Sequence, residues 1–210
     1  IIDQLFQVVR YAESRGEKIT NVVMMGMGEP LLNYEAVFKA ISLMCSESGL
    51  GLGGRKVTLS TAGYVPGIIK LAKSSLNIGL AISLNGTTNK IRDSIMPINR
   101  RFKIDDLISA AKLFYSMRGY GVTFEYVLID SITDGIENAK RLGDLVAGVP
   151  CKINLIPYNE FDYKMEFRRP SKNKLDDFYE TLKLARIDFT VRESRGRDIE
   201  AACGQLIQKE

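Results

Sequence analysis

This sequence predicts an α/β fold built on a parallel sheet, on three observations. Apolar, strand-like runs alternate with helix-periodic stretches along the chain, and the crossovers between strands are long enough to hold helices. The strand-like runs are β-branched and nearly continuous in apolar residues, as in sheets covered on both faces. Successive runs end in small polar residues: Gly28 and Glu29, then Ser60, then Ser83 and Asn85, then Asn159. In α/β proteins small molecules bind at that end of the strands. Turns are also simply polar, but four strand ends of this kind in a row favour a site.

The elements follow in order. Ile2, Leu5, Phe6, Val9 and Ala12 recur at helical spacing, so an amphipathic helix opens the chain. Thr20-Asn21-Val22-Val23 reads as a buried strand running to Gly28. It ends in Met24-Met25-Gly26-Met27-Gly28-Glu29-Pro30, where glycine leaves backbone bare for a ligand and Pro30 stops the chain from starting a helix at once. An ordinary glycine turn is the plainer reading of the same residues. A dinucleotide fingerprint is not, because Pro30, Leu31, Leu32 and Asn33 stand where its third glycine would open a helix. Asn33 is a good N-cap for a second helix with Val37, Ile41, Met44 and Cys45 on one face. Cys45 is therefore core filling.

Glycines over 49–54 mark a connection, and residues 55–60 a second strand. Pro66 fits the first turn of a third helix. Residues 78–84 form the next strand, 89–97 a short helix and loop, and 105–117 a helix carrying Leu107, Ala111 and Phe114. Residues 122–129 read as a strand, 138–146 as a helix and 151–156 as a strand. Ser171 caps a last helix, and 189–192 is a final strand. A loop over 194–205 holds Cys203.

Composition sets the bounds. The chain has 210 residues, 45% hydrophobic and 26% charged, which suits one soluble domain over 1–210 with a sizeable core. No apolar run is long enough to cross a membrane, and the first residues lack a signal-peptide pattern. A first residue other than methionine reads as part of a longer protein. The net charge of +4 is compatible with an anionic partner. Three cysteines, Cys45, Cys151 and Cys203, lie far apart, which argues for a reducing compartment. With no histidine and no metal-ligand spacing of cysteines, the chain offers no evident metal site.

Several motifs together carry a resemblance. They are Met25-Gly26-Met27-Gly28-Glu29-Pro30-Leu31, Val57-Thr58-Leu59-Ser60-Thr61, Ile82-Ser83-Leu84-Asn85, Met96-Pro97-Ile98-Asn99, Ile153-Asn154-Leu155-Ile156-Pro157 and Asp198-Ile199-Glu200-Ala201-Ala202-Cys203-Gly204-Gln205-Leu206. The chain resembles the radical S-adenosylmethionine (SAM) RNA methyltransferases of the RlmN type, which methylate C2 of an adenine in 23S rRNA and in certain tRNAs. The sister family Cfr, which methylates C8, shares the cysteine block, and Pro30 favours the RlmN type. The resemblance implies an incomplete (β/α)6-type radical-SAM barrel that lacks its first strand and cluster loop in this chain. It implies SAM contacts at Gly28, Glu29, Ser60, Ser83, Leu84, Asn85 and Asn159, with Glu29 on the α-amino group. Cys203 would be the methyl carrier, since a thiolate takes a methyl from a sulfonium by displacement. The electron-poor C2 then needs a radical route, which in the family starts from a reduced 4Fe–4S cluster and a second SAM. The implied partners are 23S rRNA, tRNA and an electron donor such as flavodoxin or ferredoxin, for a cytoplasmic monomer without a membrane.

The family's Cys-x-x-x-Cys-x-x-Cys cluster loop, its resolving cysteine and a further acidic residue lie upstream of the part that matches. Cys45 and Cys151 do not stand in for them, so the chain reads as a carboxyl-terminal portion that by itself binds no cluster. Other readings stay open. Cys203 admits a plain exposed thiol. Arg100, Arg101, Lys103, Lys164, Arg168, Arg169, Arg192, Arg195 and Arg197 admit either a solvated rim or phosphate contacts around the mouth. A different radical-SAM enzyme that makes glycyl radicals would not need Cys203, and a cluster-free RNA-binding module would not either.

Overall fold

The computed structural model describes residues 1–160 and 167–192. Six strands run in sequence order through one sheet: β1 (Val22–Met24), β2 (Val57–Thr61), β3 (Gly79–Ser83), β4 (Val122–Leu128), β5 (Cys151–Pro157) and β6 (Phe189–Val191). Every neighbouring pair is parallel. Parallel strands need crossovers, and helices supply them. Helix α1 (Ile2–Ser14) precedes β1, and α2 (Tyr34–Cys45) and α3 (Val65–Ala72) follow β1 and β2. Between β3 and β4 lie α4 (Asn89–Ile95) and α5 (Ile104–Arg118), while α6 (Ile136–Val146) and α7 (Lys172–Leu184) complete the set.

The strands alternate between two environments. On β4, Phe124, Tyr126 and Leu128 are fully buried in the core with Leu107 and Phe114 of α5 and Phe178 of α7. Thr123, Glu125 and Val127 therefore face the other way, into the concave side of the sheet. The curl can be measured at its two ends. Arg192, just past β6, brings Nη1 to 3.9 Å from Sδ of Met25, just past β1. Five flat strand spacings would separate those ends by about 24 Å. The sheet is thus wrapped most of the way round, as an incomplete barrel.

Two local expectations need correcting. The first strand is short and not buried: Val23 is 55% exposed. Its side facing away from β2 pairs with no strand among the described residues, so an apolar run becomes an edge. Pro30 does not hold off helical structure; it starts a 3₁₀ turn, Pro30–Asn33, that runs straight into α2. A proline at the start of a turn loses no amide it would have needed. The Asn33 side chain makes no capping bond, and the cap at this entry is Glu29, whose carboxylate accepts from Leu31 N at 3.1 Å.

Candidate functional site

A cavity of about 760 Å3 lies at the carboxyl ends of β1, β2 and β3. Residues 25–30, Ser60, Ser83 and the α1 side chains Leu5 and Val8 form its walls. Gly26 and Gly28 have φ of 136° and 90°, so the chain turns there through conformations that side-chain-bearing residues resist. A Cβ at either would meet no atom within 4 Å, which leaves open space beside bare backbone.

Glu29 joins the ends of two strands. Its Oε1 accepts from Thr61 Oγ1 at 2.9 Å, and its Oε2 from Ala62 N at 2.8 Å. With the Leu31 bond, three acceptor positions are spent on the chain itself. A carboxylate offers about four, so one direction remains open.

Asn85 sits in the left-handed region, φ 52°, which asparagine tolerates. Its Oδ1 accepts from Val127 N at 3.1 Å, so the side chain serves the backbone of β4. Leu84 is fully buried with its side chain in the core, and what it could offer a ligand is backbone. Asn159 is 8% exposed, and its Oδ1 has no hydrogen-bond partner among the described residues. Of the residues expected at the site, the cavity gathers Gly28, Glu29, Ser60 and Ser83; Leu84, Asn85 and Asn159 lie outside its walls. Cys203 lies outside the described residues, as do Lys164, Arg195 and Arg197.

The residue that organises these strand ends was not visible in the sequence. Arg92, in α4, is fully buried. Its Nε donates to Leu84 O at 2.8 Å, its Nη2 to Ala62 O at 2.7 Å and Ser83 O at 3.0 Å, and its Nη1 to Asn99 Oδ1 at 2.9 Å. One guanidinium thus gathers the last carbonyl of β3, the one just after it and the one just after β2. Burial pushes Arg92 down to about 10 while Asp93 pulls it up, so it stays charged at neutral pH. Gly63 and Gly86 make room: a Cβ on Gly63 would lie 2.9 Å from Nη2, and one on Gly86 would lie 3.0 Å from the Arg92 chain. An arginine in a seven-residue helix carries no periodicity that marks it as buried. The clue was two glycines, distant in sequence, that only the fold brings to one side chain.

Metal chemistry finds no footing among the described residues, where no group of three His, Cys, Asp or Glu could hold an ion. Cys45 and Cys151 are both half-buried. Burial raises the Cys45 thiol, and burial followed by the Asp188 charge pushes Cys151 up to about 11. Both are poor thiolates. No helix among the described residues is long and apolar enough to cross a membrane. The basic residues divide. Lys103 bonds Asp93 at 3.2 Å, whereas Arg100, Arg101, Arg168 and Arg192 are exposed.

The model of the radical SAM superfamily matches residues 3–143. The chain belongs to the radical SAM superfamily. Among curated relatives, the probable dual-specificity RNA methyltransferase RlmN of Clostridium acetobutylicum is 43% identical over 202 residues, which is 96% of this chain and 58% of that protein. The dual-specificity RNA methyltransferase RlmN of Pelobacter propionicus is 46% identical over 206 residues, 98% of this chain and 58% of its own length. This radical SAM chain therefore spans somewhat under two thirds of the relatives it matches. Among solved structures, a radical SAM methyltransferase from Sphaerobacter thermophilus superposes with a TM-score of 0.93 at 43% identity, over 97% of this chain and 60% of that one. A domain of a pyruvate-formate lyase-activating enzyme from Bacteroides vulgatus shares the fold alone, with 17% identity, a TM-score of 0.62 and 82% of this chain covered against 98% of its own.

Proposed function

We propose that the protein carrying this chain is a radical SAM methyltransferase that methylates C2 of adenine in 23S rRNA and tRNA, and that the barrel mouth holds its SAM. The observation that carries this is the correspondence along nearly the whole chain with proteins described as dual-specificity RNA methyltransferases. The site fits SAM on its own terms. The cavity is large enough for a nucleoside-sized ligand. The backbone at Gly26 and Gly28 is open, and Asn159 has a buried acceptor to satisfy. SAM supplies the methyl group and, on reduction, the radical chemistry.

The chain's own residues hold and orient it. Gly28 would offer backbone, Glu29 would turn its remaining acceptor direction to the α-ammonium group, and Ser60, Ser83, the Leu84 backbone, the Asn85 amide nitrogen, which takes no part in the Val127 bond, and Asn159 would take the other polar atoms. Cys203 supplies the nucleophile: its thiolate forms a bond to the methyl carbon as the sulfonium–methyl bond breaks, and the thiol proton passes to solvent. The described residues do not fit a 4Fe–4S cluster, because thiolate ligands are required and Cys45 and Cys151 do not form a set. Cluster ligands would come from elsewhere in the protein that carries this chain, and the electron from a separate donor such as flavodoxin or ferredoxin.

The test is a pair of measurements on the protein expressed from its complete reading frame. Cys203→Ala should abolish adenine-C2 methylation of 23S rRNA and tRNA while leaving RNA affinity within about twofold, since a single neutral side chain contributes little to a phosphate-dominated interface. Absence of methylation by the unaltered protein would overturn the reading. A large fall in RNA affinity in the variant would instead indicate a binding module.

A further inference from the structure

Inside the barrel, one step below the strand ends, the structure carries a carboxylate with an unused oxygen. Glu125 stands on β4 between Phe124 and Tyr126, which are buried on the helix side, so it faces the lumen. The strand register puts it level with Ser83 on β3 and Asn154 on β5, and Asn154 level with Thr190 on β6. These side chains form a tier. The Glu125 carboxylate only accepts, so the Asn154 amide turns its Nδ2 to it and donates to Oε1 at 3.0 Å, and the amide's Oδ1 accepts from Thr190 Oγ1.

Glu125 is 6% exposed, and its Oε2 has no hydrogen-bond partner among the described residues. Buried acceptors are satisfied in nearly all folded proteins, so an orphan of this kind calls for a donor. Burial raises the carboxyl, while the Asn154 bond and the Arg192 charge lower it. Ser83, its neighbour in the tier, is a wall of the cavity, while Glu125, Asn154 and Thr190 are not among the residues that line it.

We propose that Glu125 is a ligand-binding residue of the same site, whose free oxygen accepts a hydrogen bond from the vicinal hydroxyls of a bound nucleoside, the ribose of SAM. This rests on the reading of the mouth as a SAM site. If Glu29 takes the amino-acid end beside β1, the nucleoside lies toward β3, β4 and β5, where Glu125 stands. The donors on that part of SAM are the ribose hydroxyls and the adenine amine, and the hydroxyls are the pair that a carboxylate accepts in nucleotide-binding folds.

Equilibrium dialysis of S-adenosylhomocysteine and its 2′-deoxy and 3′-deoxy analogues against the complete protein tests this without turnover. Glu125→Gln keeps the shape and the Asn154 bond but removes the charged acceptor, and should weaken S-adenosylhomocysteine about tenfold. At least one deoxy analogue should bind the unaltered protein about tenfold more weakly than the parent, yet bind the variant within about twofold of it. Circular dichroism checks folding. Should Glu125→Gln misfold, Asn154→Ala, which frees the carboxylate to swing, should show a smaller loss with the same dependence on the hydroxyl. Unchanged affinity in a folded Glu125→Gln protein, or analogue losses equal in both proteins, overturns the proposal while the SAM reading stands. No binding by the unaltered protein overturns both.

Discussion

Arg92 shows how much of a site can hang on one fully buried side chain. Its guanidinium satisfies carbonyls of Ala62, Ser83 and Leu84, and Ala62 in turn donates its amide to Glu29. Replacing it by methionine keeps the volume and strands those carbonyls without donors. Arg92→Met should cost roughly 3–5 kcal/mol in urea unfolding, the range for breaking a buried polar network. A loss below about 1 kcal/mol would mean that water enters and takes over its role. The cysteines give a second check at this scale. Cys151, pushed up to about 11 from the ordinary 9.0, holds its proton across neutral pH. At pH 8 its thiolate fraction is lower by about a hundredfold, so iodoacetamide should label it about a hundredfold more slowly in the native protein than in urea. Rates within tenfold of each other would show that the thiol is not held in this environment.

The connection from β1 to α2 was readable as a glycine-rich turn, but its wiring was not. Glu29 caps the 3₁₀ turn and clamps β1 to β2 in the same stroke. Nothing in the run Gly-Glu-Pro says that the carboxylate will reach residues 61 and 62, because the bond depends on the register of β1 against β2. Glu29→Gln replaces one charged acceptor with a donor that Ala62 N cannot use. The change should cost about 1–2 kcal/mol, and hydrogen exchange at the Ala62 amide should speed up with little change in the core strands. Uniform acceleration throughout the sheet would place the clamp in the global unfolding unit instead. Gly28, at φ 90°, is a separate constraint: Gly28→Ala should destabilise by about 1–2 kcal/mol although space beside it is open. An unchanged melting temperature would show that the loop relaxes to another conformation.

Taken whole, the strand and helix order was legible because apolar periodicity encodes it directly. Runs such as those around Leu59, Ile82 and Phe124 announce strands buried against helices, and the order of elements implies parallel crossovers. The expected polar residues do lie at the carboxyl ends of their strands, and four of them share a cavity. Three things were not legible. Val23 looked like core, since a sequence does not say whether a strand has one neighbour or two. Arg92 and Glu125 carry no signal in the sequence, because what makes them special lies far along the chain: carbonyls at other strand ends for one, the Asn154 side chain for the other. The curl that brings Arg192 to Met25 comes from sheet geometry, not from either residue. Surface charge gives a prediction at this scale. Arg100 and Arg101 are exposed in the connection between α4 and α5, and replacing both with glutamate should reduce the slope of log affinity for RNA against log salt by about two. An unchanged slope would return them to the solvated rim. The bare edge of β1 has a consequence of another kind. Its outer amides and carbonyls meet no neighbouring strand among the described residues, and Val23 adds an apolar side chain to that border. Such a border is adhesive toward its own kind. A strand supplied from outside this chain would cover that border, so light scattering on the complete protein should record a mass that does not climb with concentration, whereas the chain expressed alone should climb and settle back when Val23 is changed to lysine.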